Sequence, residues 1–328
     1  MAERKRIVYP DADAQLAERI VGHRLERLRS VGELIVHHGR PPSPEEFIRR
    51  LERASAVLLG WDLPAEVMRA VPSIEVVSFT GTGPEKFVDL DLARELGITV
   101  TNTPGYSANA VAEHALALLF ATARKTALLD RMLRAGHWDQ SQSAFELRGK
   151  TLGLVGFGGI AQRLAALARG LEMRVLAWTR RPSEERAARH GVEFVPLERL
   201  LGASDVVSLH LASTPETRGF LGAVELDRMR RGAVLINTAR AELLDQAALI
   251  ERLRSGAIAG AGLDVFAQEP LPAGHPLLAL DNVVVTPHVG FNTPEAVEAL
   301  LDIGIDNLVG YFRGTPIHVV AGPGGRSR

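Results

Sequence analysis

Residues 151–165 read TLGLVGFGGIAQRLA. A short apolar run over 152–155 enters Gly156-Phe157-Gly158-Gly159-Ile160-Ala161, and 162–168 continues with helical periodicity. The stretch therefore predicts strand, tight turn and helix. In a G-x-G-x-x-[GA] turn the first glycine makes the bend, the second lets backbone approach a pyrophosphate, and the third position packs helix on strand. Ala161 takes that third position. The N–H groups at the helix start, with the dipole behind them, then hold phosphates. Such turns also occur without a ligand, and it is the flanking strand and helix that favour a dinucleotide here.

A chain of 328 residues is long for one core, so two domains are expected. Hydrophobic content of 46%, charged content of 23% and a net charge of −1 describe an ordinary globular protein. There is no basic excess to attract nucleic acid or anionic lipid. Only Lys5, Lys86, Lys125 and Lys150 are lysines, and arginine supplies the remaining cations, which weakens any argument from one arginine. Zero cysteines exclude disulfides, thiolate metal sites and a cysteine nucleophile. No metal site is expected. The start, MAERKR, runs into a short strand rather than the apolar core of a signal peptide. The longest apolar block beside a helix, 115–123, is far short of the ~20 residues a membrane span needs. The expectation is a cytoplasmic protein.

The first hundred residues alternate, with strands over 6–9, 33–37, 56–60, 74–79 and 98–101 and helices over 14–29, 44–54, 64–70 and 90–96. Ser43 is placed to cap the second helix. This order argues for a parallel sheet flanked by helices. After Pro104-Gly105, Ser107 or Asn109 can cap a long helix over 110–133, whose Ala/Leu face is too broad for a solvated surface. It is read as buried between domains or at a subunit interface, with His114 as a core or interface histidine. A second alternating series has strands over 152–155, 174–178, 193–195, 206–211, 233–237, 260–264 and 283–286, with a helix over 246–254. A last helix over 294–312, capped by Thr293, is not needed by the second series and is expected to return to the first domain. The tail 317–320 follows, and the Gly/Pro/Arg end 322–328 reads as disordered.

Arg240, Glu269 and His288 stand at or beyond strand ends of the second series, on the side where open α/β sheets bind ligands. An arginine can clamp a carboxylate with two parallel hydrogen bonds. A histidine can exchange a proton with a carbonyl or hydroxyl oxygen near neutral pH. A carboxylate beside an imidazole orients it and favours its charged form. Singly each has a bland reading: a solvated arginine, a loop-capping glutamate in a Gln-Glu-Pro turn, a satisfied loop histidine. Together, beside a nicotinamide, they make a 2-hydroxy-acid dehydrogenase. An NAD site wants an acidic residue ~20 positions after the glycine turn. Here Thr179 lies 21 residues after Gly158 and is followed by Arg180 and Arg181. Two arginines suit a 2′-phosphate, so NADP(H) is favoured, with NAD(H) as the alternative.

From 77 to 316 the chain resembles the D-isomer-specific 2-hydroxyacid dehydrogenase family. The matching segments are GTGPEKFVDLDLARELGITVTNTPGYSANAVAEHALALL from Gly81, LGLVGFGGIA, SDVVSLHLASTPETRGFL, GAVLINTARAELLDQAALIERLRSGAIAGAGLDVFAQEPLP and HPLLALDNVVVTPHVG. The resemblance implies two doubly wound parallel-sheet α/β domains: a Rossmann NAD(P)-binding domain, 104–292, inserted into a flavodoxin-like substrate domain, 1–103 with 293–328. It implies that Arg240 binds the substrate carboxylate and carbonyl, His288 is the acid/base and Glu269 its partner. Asp264 would hold the nicotinamide carboxamide. Gly156, Phe157, Gly158, Gly159, Ile160, Thr179, Arg180, Arg181, His210 and Thr238 would line the cofactor, and the backbone at Thr82 and Gly83 would receive the substrate carboxylate. A homodimer through the 110–133 helix is expected, with a small 2-keto or 2-hydroxy acid as substrate. The stretch EPLP with HPLL is loosely similar to the glyoxylate/hydroxypyruvate reductase branch. A D-3-phosphoglycerate dehydrogenase is the nearest competitor, and the short chain after the last helix is read against its forms with a regulatory extension. A nucleotide-sensing corepressor of the same fold is the reading from another class. The chain departs from the family pattern at Pro84-Glu85-Lys86, one residue long, at Ala241, at Ala212-Ser213 and at Phe291.

Overall fold

A computed structural model describes residues 4–323. The N-terminal residues 1–3 and the 324–328 part of the expected disordered end lie outside them. Along the chain the strands are β1 (Arg6–Ala12), β2 (Glu33–His38), β3 (Ala56–Leu59), β4 (Val76–Phe79), β5 (Thr99–Thr101), β6 (Thr151–Val155), β7 (Arg174–Trp178), β8 (Glu193–Phe194), β9 (Val206–Leu209), β10 (Ala233–Asn237), β11 (Ile258–Leu263), β12 (Val283–Val285) and β13 (Val319–Ala321). The helices are α1 (Ala14–Ala17), α2 (His23–Arg29), α3 (Pro44–Arg50), α4 (Ala65–Ala70), α5 (Leu90–Glu95), α6 (Ala108–Ala123), α7 (Thr126–Arg134), α8 (Gly159–Gly170), α9 (Glu184–His190), α10 (Leu197–Ala203), α11 (Ala223–Asp227), α12 (Gln246–Arg254) and α13 (Pro294–Phe312).

The chain divides into two units, one running to Ser107 and resuming at Thr293, the other Ala108–Asn292. In the first, six strands lie in the order β13-β5-β4-β3-β1-β2, parallel except for β13. β3 and β4 are buried at every residue because helices cover both faces, which is why they read as continuous apolar runs. Ser43 and Thr293 accept from the N–H three residues on and cap α3 and α13, as their positions predict. α13 lies on β3 and β4, so closely that a Cβ at Gly304 would stand 3.1 Å from Leu58 Cδ1. The helix expected over 14–29 is two helices, because Gly22 takes a left-handed backbone (φ 53°) between α1 and α2.

The second unit holds seven parallel strands in the order β12-β11-β10-β9-β6-β7-β8. The order reverses between β6 and β9, the switch point at which open α/β sheets take ligands. The expected single helix over 110–133 is broken into α6 and α7 by Lys125 in left-handed backbone (φ 54°), and Asn109 lies inside α6 rather than capping it. The broad apolar face of α6 (Ala112, Ala115, Leu118, Leu119) packs on α8, β10 and β11 of its own unit, which accounts for the breadth of that face. Gly262 permits this approach, since a Cβ there would stand 2.9 Å from Leu118 Cβ. α7 buries none of its residues. Among the described residues no helix is long and apolar enough to cross a membrane.

Candidate active site

Arg240, Glu269 and His288 follow β10, β11 and β12, three neighbouring strands, at one edge of the second sheet. Glu269 and His288 touch: Glu269 Oε2 is 2.8 Å from His288 Nδ1. A carboxylate can only accept, so Nδ1 carries the proton and Nε2 is the ring nitrogen left for chemistry. Glu269 Oε1 accepts from the Phe266 N–H at 2.9 Å, so the glutamate caps its own loop and orients the imidazole at once. His288 sits in left-handed backbone (φ 55°), a conformation that costs a histidine energy and is found where the surroundings impose it.

The surroundings are a carboxylate. Asp264, 2% exposed, accepts from the N–H of Val289 at 3.0 Å and of Gly290 at 2.8 Å, gripping the two residues after His288. Thr286 Oγ1 donates to it at 2.5 Å, which leaves that hydroxyl to accept from His114 Nε2 at 2.9 Å. Burial raises the Asp264 carboxyl, and hydrogen bonds from His114, Thr286, Val289 and Gly290 outweigh it and hold the group below its usual value. His114 therefore braces this turn from α6. Arg240 is held by Asn237, fully buried at the end of β10, whose amide donates to Arg240 O and accepts from the Ala239 N–H, both at 3.0 Å. The guanidinium donates to Ala239 O at 2.7 Å and, among the described residues, forms no ion pair. Asn237 and Thr286 carry no sequence signal of their own; their roles exist only in the folded turn.

The glycine turn fits a dinucleotide on three observations. Gly156 has φ 94°, and a Cβ there would stand 2.6 Å from His210 O. Gly158 has ordinary backbone (φ −84°) and a Cβ on it would meet no protein atom, so packing does not explain the glycine and an approaching ligand does. The N–H groups that open α8 have no side-chain cap. Thr238 Oγ1 is buried and has no hydrogen-bond partner among the described residues. A family model described as "D-isomer specific 2-hydroxyacid dehydrogenase, NAD binding domain" matches residues 116–290. The chain belongs to that family.

The dehydrogenase is 41% identical over 281 residues to a glyoxylate reductase of Korarchaeum cryptofilum, with 84% of each chain covered. It is 37% identical over 306 residues to a D-3-phosphoglycerate dehydrogenase of Archaeoglobus fulgidus, spanning 92% of this chain but 58% of that relative. A crystal structure of the NADPH-dependent glyoxylate/hydroxypyruvate reductase of Sinorhizobium meliloti, with NADP and malonate, superposes with a TM-score of 0.81 at 31% identity, covering 99% of both chains. The family and these relatives are NAD(P)-dependent oxidoreductases acting on hydroxy acids.

Other positions of the dehydrogenase have these places. Beyond β7, Thr179 Oγ1 accepts from the Arg181 N–H at 3.5 Å; Arg180 and Arg181 are exposed and form no close ion pair among the described residues, although the Glu216 carboxyl, lowered first by the Thr214 hydroxyl, lies near enough to Arg180 to be lowered by it too. Arg186 is engaged instead, donating to Phe157 O and Arg181 O. His210 lies 2.9 Å from Ser208 Oγ, and desolvation pushes it down to about 4, so it is neutral. Ala212 O accepts from Thr217 Oγ1, which also receives the Thr214 N–H and closes that loop. Pro84–Lys86 is one short 3-10 turn beyond Thr82 and Gly83 in the other unit, and Ala241 opens another. The Phe291 ring stands edge-on to His288 at 6.2 Å.

Proposed function

We propose that this protein reduces a small 2-keto acid, of glyoxylate or hydroxypyruvate type, to the D-2-hydroxy acid, with NADP(H) preferred over NAD(H). The observation that carries the reading is the Glu269–His288 pair with Nε2 left free. Gly156 to Ile160, Thr238 and the neutral His210 line the cofactor, which when bound supplies the hydride. Asp264 holds the turn that bears His288, and its remaining lone pair receives the nicotinamide carboxamide. Arg240 clamps the substrate carboxylate and polarises its carbonyl; the N–H groups of Thr82 and Gly83 are the first unit's donors for a carboxylate. His288 Nε2 gives its proton to the carbonyl oxygen as the carbon is reduced, and takes one in the reverse direction. A conjugate carboxylate at Nδ1 keeps the ring from rotating and compensates its charge.

The NADP(H) preference rests on Arg180 and Arg181, two exposed guanidinium groups where an NAD site wants a carboxylate. A homodimer in the cytoplasm fits best, and its contact falls to α7 and the segment after it, where Leu133 and Trp138 are 57% and 78% exposed. Initial rates for a panel of 2-keto acids with NADPH and NADH test the proposal. Reduction of glyoxylate or hydroxypyruvate, faster with NADPH, is expected; binding of cofactor with no keto-acid turnover would overturn it.

A further inference from the structure

In the substrate unit a chain of side-chain hydrogen bonds, with the buried Asn307 at its centre, runs from the residue before the last strand to the loop at the end of β4. Asn307 on α13 is fully buried, and its Nδ2 donates to Asn102 O at 2.8 Å and lies 3.4 Å from Ser78 Oγ. A carbonyl oxygen can only accept, which fixes the orientation of the amide. Asn307 Oδ1 then faces His318 Nδ1 at 2.9 Å, so that ring nitrogen is the donor. His318 stands just before β13 in left-handed backbone (φ 53°), and its carbonyl accepts from the Asn102 N–H at 3.2 Å. Asn102 passes the arrangement on: its Nδ2 donates to Thr82 O at 3.0 Å. Beside it the Thr103 N–H donates to Gly81 O at 2.9 Å.

A planar trans peptide points its C=O and the following N–H in opposite directions. Holding Thr82 O toward Asn102 therefore aims the Gly83 N–H away from it. Among the described residues the N–H groups of Thr82 and Gly83 donate to no protein group. The loop is thus a pair of free donors whose direction is set from behind by a network anchored on the fully buried Asn307, and such networks are rigid when every member is satisfied.

We propose that Asn102, braced by Asn307 and His318, is a positioning residue that orients the Gly83 N–H for the substrate's carboxylate and so sets affinity for the keto acid. This rests on the function proposed above. The Asn102 side chain spends its donor on Thr82 O, so its loss acts through the loop, on substrate binding rather than on proton or hydride delivery.

The test is steady-state kinetics of Asn102→Asp, which keeps the shape but turns the donor at Thr82 O into an acceptor. The KM for glyoxylate or hydroxypyruvate should rise about tenfold, the scale of one hydrogen bond to a charged group. The limiting kcat and the KM for NADPH should stay within about twofold. Asn102→Ala, made in parallel in case the aspartate variant does not fold, should give a smaller rise of the same kind. His318→Asn, which tolerates the left-handed backbone, should raise the keto-acid KM alone, and the rise should vanish in the Asn102→Ala background because the two act along one path. A folded Asn102 variant with unchanged keto-acid KM, or His318 and Asn102 effects that simply multiply, would overturn the proposal while wild-type turnover leaves the activity standing. A wild-type protein that reduces no 2-keto acid would remove both.

Discussion

Glu269→Gln is the most informative single change to the site. The carboxylate has two oxygens in use, one on the Phe266 N–H at 2.9 Å and one on His288 Nδ1 at 2.8 Å. An amide has only one acceptor oxygen. If that oxygen stays on Phe266, the loop is preserved and an NH2 group faces His288 Nδ1, which must then give up its proton and become an acceptor. The ring is left neutral, with its proton on Nε2 bound far more tightly than in the imidazolium, and the pair loses one charge-assisted hydrogen bond. Such a bond is worth about 1.5–3 kcal/mol. Glu269 and His288 side chains are 38% and 39% exposed, which favours the lower part of that range. At about 1.4 kcal/mol per tenfold, kcat should fall roughly 10- to 100-fold. NADPH affinity and melting temperature should hardly move, because the Phe266 contact survives. The assay is initial-rate kinetics with saturating NADPH and varied hydroxypyruvate, alongside thermal unfolding. A Glu269→Gln protein that keeps kcat within twofold would refute the role given to this pair.

Four further outcomes follow from the same geometry. Gly158→Ala adds a methyl that meets no protein atom, so the melting temperature should stay put while the cofactor dissociation constant, read by fluorescence titration, rises at least tenfold; unchanged affinity would mean that no pyrophosphate approaches this turn. Arg240→Lys replaces a planar fork with a point charge and should raise the keto-acid KM about tenfold or more while slowing turnover; retained affinity would argue against the clamp. Arg180→Asp should lower the NADPH/NADH preference in kcat/KM by at least tenfold, and an unmoved ratio would take that residue out of cofactor choice. In the substrate unit the Arg24 fork holds the Asp302 carboxyl below its ordinary value through two hydrogen bonds of 2.8 Å. A depressed carboxyl contributes stability above its unfolded value and loses it as pH falls through the folded one. Asp302→Asn should therefore lower the melting temperature at pH 7, with the difference closing below about pH 4; a gap that persists in acid would point to packing instead.

Much of this was legible in the chain itself. Both series of strands, the glycine turn, the Ser43 and Thr293 caps and the pairing of Glu269 with His288 are local patterns or consequences of strand order. The break at Lys125 was not, because Arg124-Lys125-Thr126 carries neither glycine nor proline and an Ala/Leu pattern runs up to it. A lysine in left-handed backbone (φ 54°) leaves no mark in a window of residues, since that conformation is ordinarily signalled by glycine or asparagine. The partner of the α6 apolar face was not legible either: a broad stripe announces burial but not what covers it, and the structure shows its own sheet and α8 against it. Asn237, Thr286 and Asn307 were missed because a buried amide or hydroxyl acquires its role only from backbone groups brought to it by folding. Glu269 satisfied both of its readings, as loop cap and as partner of the imidazole.

The most direct test of the account follows the hydride. Wild-type protein is supplied with NADPH bearing deuterium at the transferred C4 position and with hydroxypyruvate, and the product is examined by mass spectrometry and chiral chromatography. One deuterium at C2 of the D-hydroxy acid is the predicted result. Product without deuterium at C2, or the L-acid, would contradict the proposed roles of Arg240 and His288 at the reduced carbon.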